Sequence, residues 1–392
     1  MNHIRLSCLL PLALLSLLLA FLLTLPVSAQ ESTPVPGDVP QISLDELNVR
    51  DLKIDMGEGW TADAEFTWPK TGTAPFPTVI LFHGGCSCGG MDGAFWESPS
   101  SAIQERNFRL LASELGKQGI AVMRFNRRGA LNDRDTDATQ EGKFFSDPFR
   151  AAADGEAVLS TVQAQAEADP AHIFLYGWSY GSQIASIIAT YHADVKGLIL
   201  QGAPADAYGA EQSIHMAVNV VSPYLARVAD TNQDGKLSPE EINNQDVKHG
   251  PVTWIVGGLF DPSSTADKPV FASGLDSNKD GLVDIQMELI PYLTAQGQGY
   301  ALTPPDRNEF TEEQAVARIT MPVLIIDGQS DGLVANSNAQ TLAQAAGSRG
   351  TLKLYPGLGH ALSKIPEPAL DIFGPMEQQP INDIAAWILA QK

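Results

Sequence analysis

The pentapeptide Gly177-Trp178-Ser179-Tyr180-Gly181 constrains this 392-residue chain more than any other feature. An apolar run, Ile173–Tyr176, precedes it and a helical stretch, Ser182–His192, follows it. G-x-S-x-G between a strand and a helix demands a sharp turn with the serine at its apex. Glycine is needed on both sides because a side chain there would collide with the strand or the helix. Such a turn holds Ser179 Oγ clear of a sheet, and the start of the helix behind it favours developing negative charge. Ser179 is therefore the candidate nucleophile.

The surrounding sequence is consistent with that turn. Aliphatic runs at Thr78–Phe82, Ile120–Phe125, His172–Tyr176, Gly197–Gln201, Pro322–Asp327 and Thr351–Tyr355 are of the length and continuity of strands buried on both faces. Amphipathic stretches lie between them, at Phe108–Gln118, Phe149–Glu167, Ser182–His192, Asn338–Ala346 and Ile381–Gln391. Leu47–Met56 and Ala62–Trp68 read as an antiparallel opening hairpin. The pattern predicts an α/β fold with a doubly wound, mostly parallel sheet and a site at the carboxyl ends of its strands. The alternation breaks over 205–318, which reads as a helical, acidic cap insertion. The expected organisation is a leader over 1–29, a Pro-rich linker over 30–41, a core in two parts, 42–204 and 319–392, and the insertion between them.

A serine at its ordinary pKa needs a base, and the base needs an orienting group. Strand Pro322–Asp327 runs into Gly328-Gln329-Ser330-Asp331, and strand Thr351–Tyr355 into Pro356-Gly357-Leu358-Gly359-His360. His360 is the candidate general base and Asp331 the candidate orienting carboxylate, with Asp206 and Asp327 as rivals to Asp331. A tetrahedral oxyanion needs N–H donors. One is expected at Tyr180, directly after the nucleophile. The second is expected in His83-Gly84-Gly85-Cys86, at Gly85, with Gly84 or Cys86 as alternatives; His83 is expected to brace that loop. No cofactor is expected for catalysis. Arg127, Arg128 and Arg134 could attract an anionic substrate or form salt bridges in an acid-rich chain, and the salt bridges are the favoured reading.

Together these residues resemble the α/β-hydrolase superfamily over about 47–204 and 319–391. The motifs are HGG at 83–85, GWSYG at 177–181, DGQSD at 327–331 and GLGH at 357–360. The segment Arg124-Phe125-Asn126-Arg127-Arg128-Gly129 also looks like the basic loop often found after the fourth strand in that superfamily. The resemblance implies hydrolysis of an ester, thioester or amide through an acyl-enzyme. A carboxylesterase-type activity on a small acyl ester leads, with a peptidase or aminopeptidase of the same constellation as the alternative. From another class comes a calcium-dependent binding module on an inactive hydrolase scaffold.

The insertion carries a second signal. Residues 230–241, DTNQDGKLSPEE, match a twelve-residue EF-hand loop. Calcium takes six to eight oxygen ligands. Asp230, Asn232 and Asp234 supply side chains at positions 1, 3 and 5, Gly235 permits the turn at 6, Lys236 offers its carbonyl, Ser238 serves at 9 and Glu241 closes the loop at 12. An amphipathic run, Ile214–Val228, precedes it. A second loop begins at Asp276, with Asn278, Asp280, Gly281, Leu282 and Asp284 in place. Its position 12 is Met287, and the nearest carboxylate, Glu288, comes one residue late. The expectation is a face-to-face pair holding calcium in a structural role.

Composition excludes other classes. The chain has 46 acidic and 25 basic residues, a formal net charge of −21, which disfavours nucleic acid because phosphate contacts need Lys/Arg density. Its hydrophobic fraction of 44% suits a globular chain rather than a disordered one. Arg5, the apolar run 9–25 and Val27-Ser28-Ala29 read as a cleaved signal peptide, giving an exported protein, periplasmic or extracellular, with no stable membrane span. Of three cysteines, Cys86 and Cys88 lie beyond the leader. Their C-x-C spacing allows a strained disulfide or simply two small residues in a turn, and no partner pair exists for zinc.

Overall fold

The computed structural model describes residues 37–85, 89–96, 101–206, 210–244, 250–265, 267–301 and 311–391. The leader, most of the linker, Cys86 and Cys88 lie outside them. The main sheet contains β1 (Leu47–Asp55), β2 (Thr61–Pro69), β3 (Phe76–Phe82), β6 (Ala121–Phe125), β7 (Ala168–Trp178), β8 (Gly197–Gln201), β11 (Val323–Gly328) and β12 (Gly350–Tyr355). Their order across the sheet is β1-β2-β6-β3-β7-β8-β11-β12. The β1–β2 and β2–β6 pairs are antiparallel and the others parallel. Two short ladders stand apart: β4 (Ala94–Phe95) with β5 (Glu105–Arg106), and β9 (Lys236–Leu237) with β10 (Val283–Asp284).

The apolar runs are continuous because both sheet faces are covered. In β3, Val79 and Leu81 enter one buried cluster and Ile80 and Phe82 the other; Phe174 and Tyr176 of β7 likewise oppose Ile173 and Leu175. Side chains alternate between faces along a strand, and each such burial is worth about 1.5–3 kcal/mol. Helices Asn107–Lys117 and Gln378–Ala390 supply residues to one cluster; Pro148–Gln163, Tyr180–Tyr191 and Ser337–Ala346 supply the other.

Besides shifts of a few residues at element ends, two boundaries and one helix differ from the sequence reading. The stretch expected as a helix to Glu167 stops at Gln163, because the chain must turn to begin β7 at Ala168, opposite Phe76. The strand expected at His172–Tyr176 extends from Ala168 to Trp178; Asp169, Pro170 and Ala171 carry no apolar run because they stand half-buried or exposed. Residues 129–148, where the sequence reading places no element, contain helix Ala138–Ser146, whose first N–H groups, those of Thr139 and Gln140, donate to Asp137 Oδ1 (2.9 and 3.1 Å). Nine residues are too few for a periodic signal. The end of the Pro-rich stretch is docked, since Asp38 accepts from Ile103 N at 2.8 Å and Val39 N donates to Ile103 O at 2.9 Å.

The insertion has its own core. Val221, Leu225, Leu237, Ile242, Val252, Leu275, Val283 and Leu289 pack together, and Ala369 from the later part of the chain joins them. Its first helical run is Ala210–Ile214, a π-helical stretch His215–Val221, and Ser222–Val228.

Candidate active site

β7 delivers the chain to Ser179, whose backbone stands at φ 53°, ψ −124°. This is a strained conformation for a residue with a side chain. The flanking glycines are required by contact. A Cβ on Gly177 would lie 2.4 Å from Ser182 Cα, and one on Gly181 would lie 2.3 Å from the Phe82 carbonyl oxygen. Ser179 N donates to Gln201 O at 2.8 Å, which ties the turn to the end of β8.

The ends of β11 and β12 bring Asp331 and His360 together. His360 Nδ1 lies 2.6 Å from Asp331 Oδ2, and both residues are buried. With the carboxylate as acceptor, Nδ1 carries the proton and Nε2 keeps a lone pair able to accept one. Asp331 Oδ1 accepts from Leu333 N (2.7 Å) and Val334 N (2.8 Å). Burial would raise the Asp331 carboxyl, but His360 and these N–H groups outweigh it and hold it below its ordinary value. Burial lowers the His360 imidazole; the adjoining Asp331 carboxylate outweighs that and raises it.

Ser179 and this pair both border the carboxyl end of β8. The His360 ring lies against Gly202, where a Cβ would come within 2.7 Å of Cε1 and Nδ1. Gly202 directly follows Gln201, the residue that holds Ser179 N. The His360 carbonyl accepts from Gln201 Nε2 (3.0 Å) and Trp178 Nε1 (3.3 Å). Among the described residues no hydrogen bond joins Ser179 Oγ to His360. Such bonds are often long without substrate and tighten in the reacting complex.

The rival carboxylates sit elsewhere. Asp327 is fully buried, and burial followed by repulsion from Asp331 raises it well above its ordinary value. It makes no bond to His360. The Asp206 carbonyl accepts from Gln183 Nε2 at 2.9 Å. The two glycines of the 83–85 loop lie against the elbow: a Cβ on Gly84 would be 3.5 Å from Ser179 Cβ, and one on Gly85 3.3 Å from Tyr180 Cβ. As the first residue of its helix, Tyr180 has no carbonyl a turn back for its N–H. His83 braces the loop through Nε2 to Gly90 O (3.0 Å), and burial lowers it to about 3. The arginines are paired: Arg127 with Glu141 (2.6 Å), Arg128 with Asp154 (2.6 Å) and Arg134 with Asp38 (2.5 Å).

Sequence reasoning missed Asp371 and His215. Asp371 Oδ2 accepts from His360 N (2.8 Å) and Gly332 N (3.0 Å), so one buried carboxyl joins the base loop to the acid loop. Burial, then repulsion from Asp331, raises it to about 7. It lies in no motif, so no local signal could have found it. His215 of the insertion reaches the Asp331 carbonyl at 3.0 Å through Nε2.

The two acidic loops of the insertion share one conformation. Gln233 and Lys279 have φ near 60°, and Gly235 and Gly281 φ of 79° and 85°. Asp230 accepts from Asp234 N (3.1 Å) and Gly235 N (2.9 Å); Asp276 accepts from Asp280 N (3.2 Å) and Gly281 N (2.9 Å). The loops pair through β9 and β10, with Leu237 opposite Val283. Asn232 Oδ1 and Asn278 Oδ1 each bond the N–H two residues on, and Asp234 and Asp280 each accept from the N–H two residues further along, Lys236 and Leu282. Glu241 accepts from Ser238 N (2.8 Å), Ser238 Oγ (2.9 Å) and Thr231 Oγ1 (3.1 Å). Glu288, one residue late in sequence, holds the equivalent place: it accepts from Asp284 N (3.0 Å), Ser277 N (2.9 Å) and Ser277 Oγ (2.7 Å). The wider π-helical turn Ile285–Leu289 absorbs the extra residue and leaves Met287 76% exposed. Among the described residues, no three His, Cys, Asp or Glu side chains converge on one point as they stand. The donors are hard oxygens throughout, a set that suits calcium and not a soft metal.

The alpha/beta hydrolase family model matches residues 79–369. Among curated proteins, none matches this sequence. The fold is similar to that of a hypothetical protein from Pseudomonas aeruginosa (TM-score 0.50, 13% identity, covering 94% of this chain and 100% of the other). It is also similar to Pyrococcus horikoshii acylaminoacyl peptidase (TM-score 0.50, 11% identity, 89% of this chain and 42% of the other). Est1E from Butyrivibrio proteoclasticus matches at a TM-score of 0.44 with 16% identity, over 87% of this chain and 98% of its own. At these identities the first two structures speak to fold alone. The family match spans well over half of the sequence and includes the elbow, Asp331 and His360, and on that ground the chain belongs to the alpha/beta hydrolase family.

Proposed function

We propose that the protein is an exported serine hydrolase that cleaves a small acyl ester through an acyl-enzyme. The observation that carries this reading is the buried 2.6 Å His360–Asp331 pair, set beside a serine held at φ 53° on an elbow. In the mechanism, His360 Nε2 takes the Ser179 Oγ proton as Oγ attacks the acyl carbonyl. Asp331 fixes the tautomer and stabilises the imidazolium. The N–H groups of Tyr180 and Gly85 receive the oxyanion. His360 then protonates the leaving alcohol, and a water activated by the same nitrogen releases the acid.

A fluorophosphonate probe tests the assignment: labelling of Ser179, absent in Ser179→Ala, is the expected result. No labelling would favour a binding module on an inactive scaffold. Hydrolysis of p-nitrophenyl esters of graded length, set against aminoacyl anilides, separates an esterase from a peptidase. Export follows from the leader-like residues 1–29 and is tested by the N-terminus of the mature protein.

The insertion is proposed to bind calcium at two loops. Asp230, Asn232, Asp234, Lys236 through its carbonyl, Ser238 and Glu241 would form the first site. Asp276, Asn278, Asp280, Leu282 through its carbonyl, Asp284 and Glu288 would form the second. When bound, calcium would neutralise these clustered carboxylates and fix the helices they join; it takes no part in the acyl chemistry. The shared loop conformation and the place held by Glu288 support this reading.

A further inference from the structure

Glu312 lies beneath the nucleophile helix and has no role in the chemistry above. It is 2% exposed. Its carboxyl meets Ser182 Oγ at 2.8 Å and Ser186 Oγ at 3.1 Å, one turn apart on helix Tyr180–Tyr191. Ser182 Oγ also donates to the Ser179 carbonyl. A hydroxyl has one proton, so Ser182 cannot donate to Ser179 and to an ionised Glu312 at once. We propose that Glu312 is a positioning residue that works in its neutral form: its O–H donates to Ser182 Oγ, Ser182 donates to the Ser179 carbonyl, and Ser186 donates to the second carboxyl oxygen. All three protons and all their acceptors are then matched.

The consequence reaches the oxyanion. The Ser179 carbonyl and the Tyr180 N–H belong to one planar peptide, so holding the carbonyl aims the N–H. Ionising Glu312 draws the Ser182 hydroxyl proton away and leaves the Ser179 carbonyl with the Ser182 N–H (2.9 Å) in place of two donors from that residue, so the peptide is held less firmly. Burial raises the Glu312 carboxyl to about 8, opposed by the two serine hydroxyls alone. The helices packed against it, Tyr180–Tyr191 and Ser337–Ala346, carry no Asp, Glu, Lys, Arg or His; their titratable groups are Tyr180 and Tyr191. On adjoining segments lie Glu313, Asp206, Glu211, Arg318 and Arg349, and Arg349 bonds the far end of the Glu312 helix at the Val316 carbonyl (3.2 Å).

This inference rests on Ser179 being the nucleophile, and its test separates the two. With a p-nitrophenyl ester, wild-type kcat is expected to fall as pH rises through about 8, with KM little changed. Glu312→Ala lowers kcat about tenfold or more, short of the ~10²–10³-fold loss of a whole oxyanion donor. Glu312→Gln, which can donate to Ser182 and accept from Ser186, recovers most of that loss and abolishes the alkaline fall. If the alanine variant fails to fold, the glutamine variant carries the test. A glutamine variant as impaired as alanine, or one that keeps the alkaline fall, overturns the proposal. Infrared titration of Glu312 in the Ser179→Ala protein, with Glu312→Gln as the blank, is independent of turnover. A carboxylic-acid band persisting at neutral pH is expected, and a carboxylate already present there overturns the proposal even if the hydrolase reading itself has failed for want of Ser179 labelling.

Discussion

His360 is held on every polar side but one. Its N–H donates to Asp371, its carbonyl accepts from Gln201 and Trp178, and Nδ1 faces Asp331, which leaves Nε2 as the proposed base. Asp371 acts on this imidazole as a charge as well as a clamp once it ionises, above its own raised value of about 7: its carboxylate then adds to the larger push that Asp331 exerts on His360. Asp371→Asn removes that charge, so the acidic limb of kcat/KM, which reports the free-enzyme imidazole, should move to lower pH. A limb that stays in place would show that Asp371 is neutral throughout the working range. Ser179→Ala is expected to lower kcat by at least ~10⁴-fold with unchanged circular dichroism. The two residues differ in legibility. Ser179 stands in a motif whose glycines are dictated by its neighbours. Asp371 stands in Leu370-Asp371-Ile372-Phe373, a stretch with no motif, and its role exists only because the chain folds it between Gly332 and His360.

At the scale of elements, the elbow and the two acidic loops are local devices with different tolerances. The elbow has none: Gly181→Ala drives a methyl into the Phe82 and His83 carbonyls, at 2.3 and 2.5 Å. The expected outcome is a lower melting temperature and a kcat loss of about 10²-fold from displacement of the serine, read by a melt and an initial-rate assay on the same sample. The second acidic loop absorbs its extra residue in the π-helical turn Ile285–Leu289. Glu288→Gln should therefore weaken calcium binding at that loop about as much as Glu241→Gln does at the first, whereas Met287→Gln should leave it unchanged; isothermal titration calorimetry measures all three. Equal binding by Glu288→Gln and the parent would remove the shifted-ligand account.

Across the whole molecule, the insertion is docked on the loop that carries the base. Ala369 is buried in the insertion's core, Trp254 stacks edge-on to Phe373 at 6.5 Å, and Phe373 lies 5.5 Å from the His360 ring. His215 adds a bond to the Asp331 carbonyl. Chelating calcium should lower the melting temperature by several degrees, as loss of a ligand that binds the folded state requires; an unchanged melt in chelator would remove the structural-calcium reading. Buried carboxyls also give stability a pH slope. Glu312 and Asp371 are raised to about 8 and about 7, so the folded state keeps protons that the unfolded chain releases above its ordinary carboxylate pKa of about 4. Their contribution is full below that value, is lost progressively as pH rises from about 4, and is gone once pH has passed through 7 to 8. The urea midpoint should fall over this window, and Glu312→Gln should reduce the fall.

The sequence by itself determined whatever depends on near neighbours and on period. Continuous apolar runs implied a sheet covered on both faces, the glycine-flanked serine implied the elbow, and the acidic loops carried their candidate donors within twelve and thirteen residues. Only the tertiary structure decided among carboxylates distant in sequence. Asp331 and Asp327 are both acids at the end of β11, yet one faces His360 and the other is buried without such a partner. Glu312 and Glu313 are consecutive acids in the first turn of one helix, yet one is buried against two serines and the other is exposed. What a charged side chain does depends on the dielectric and the partners around it, and those are assembled from segments the chain brings together only on folding.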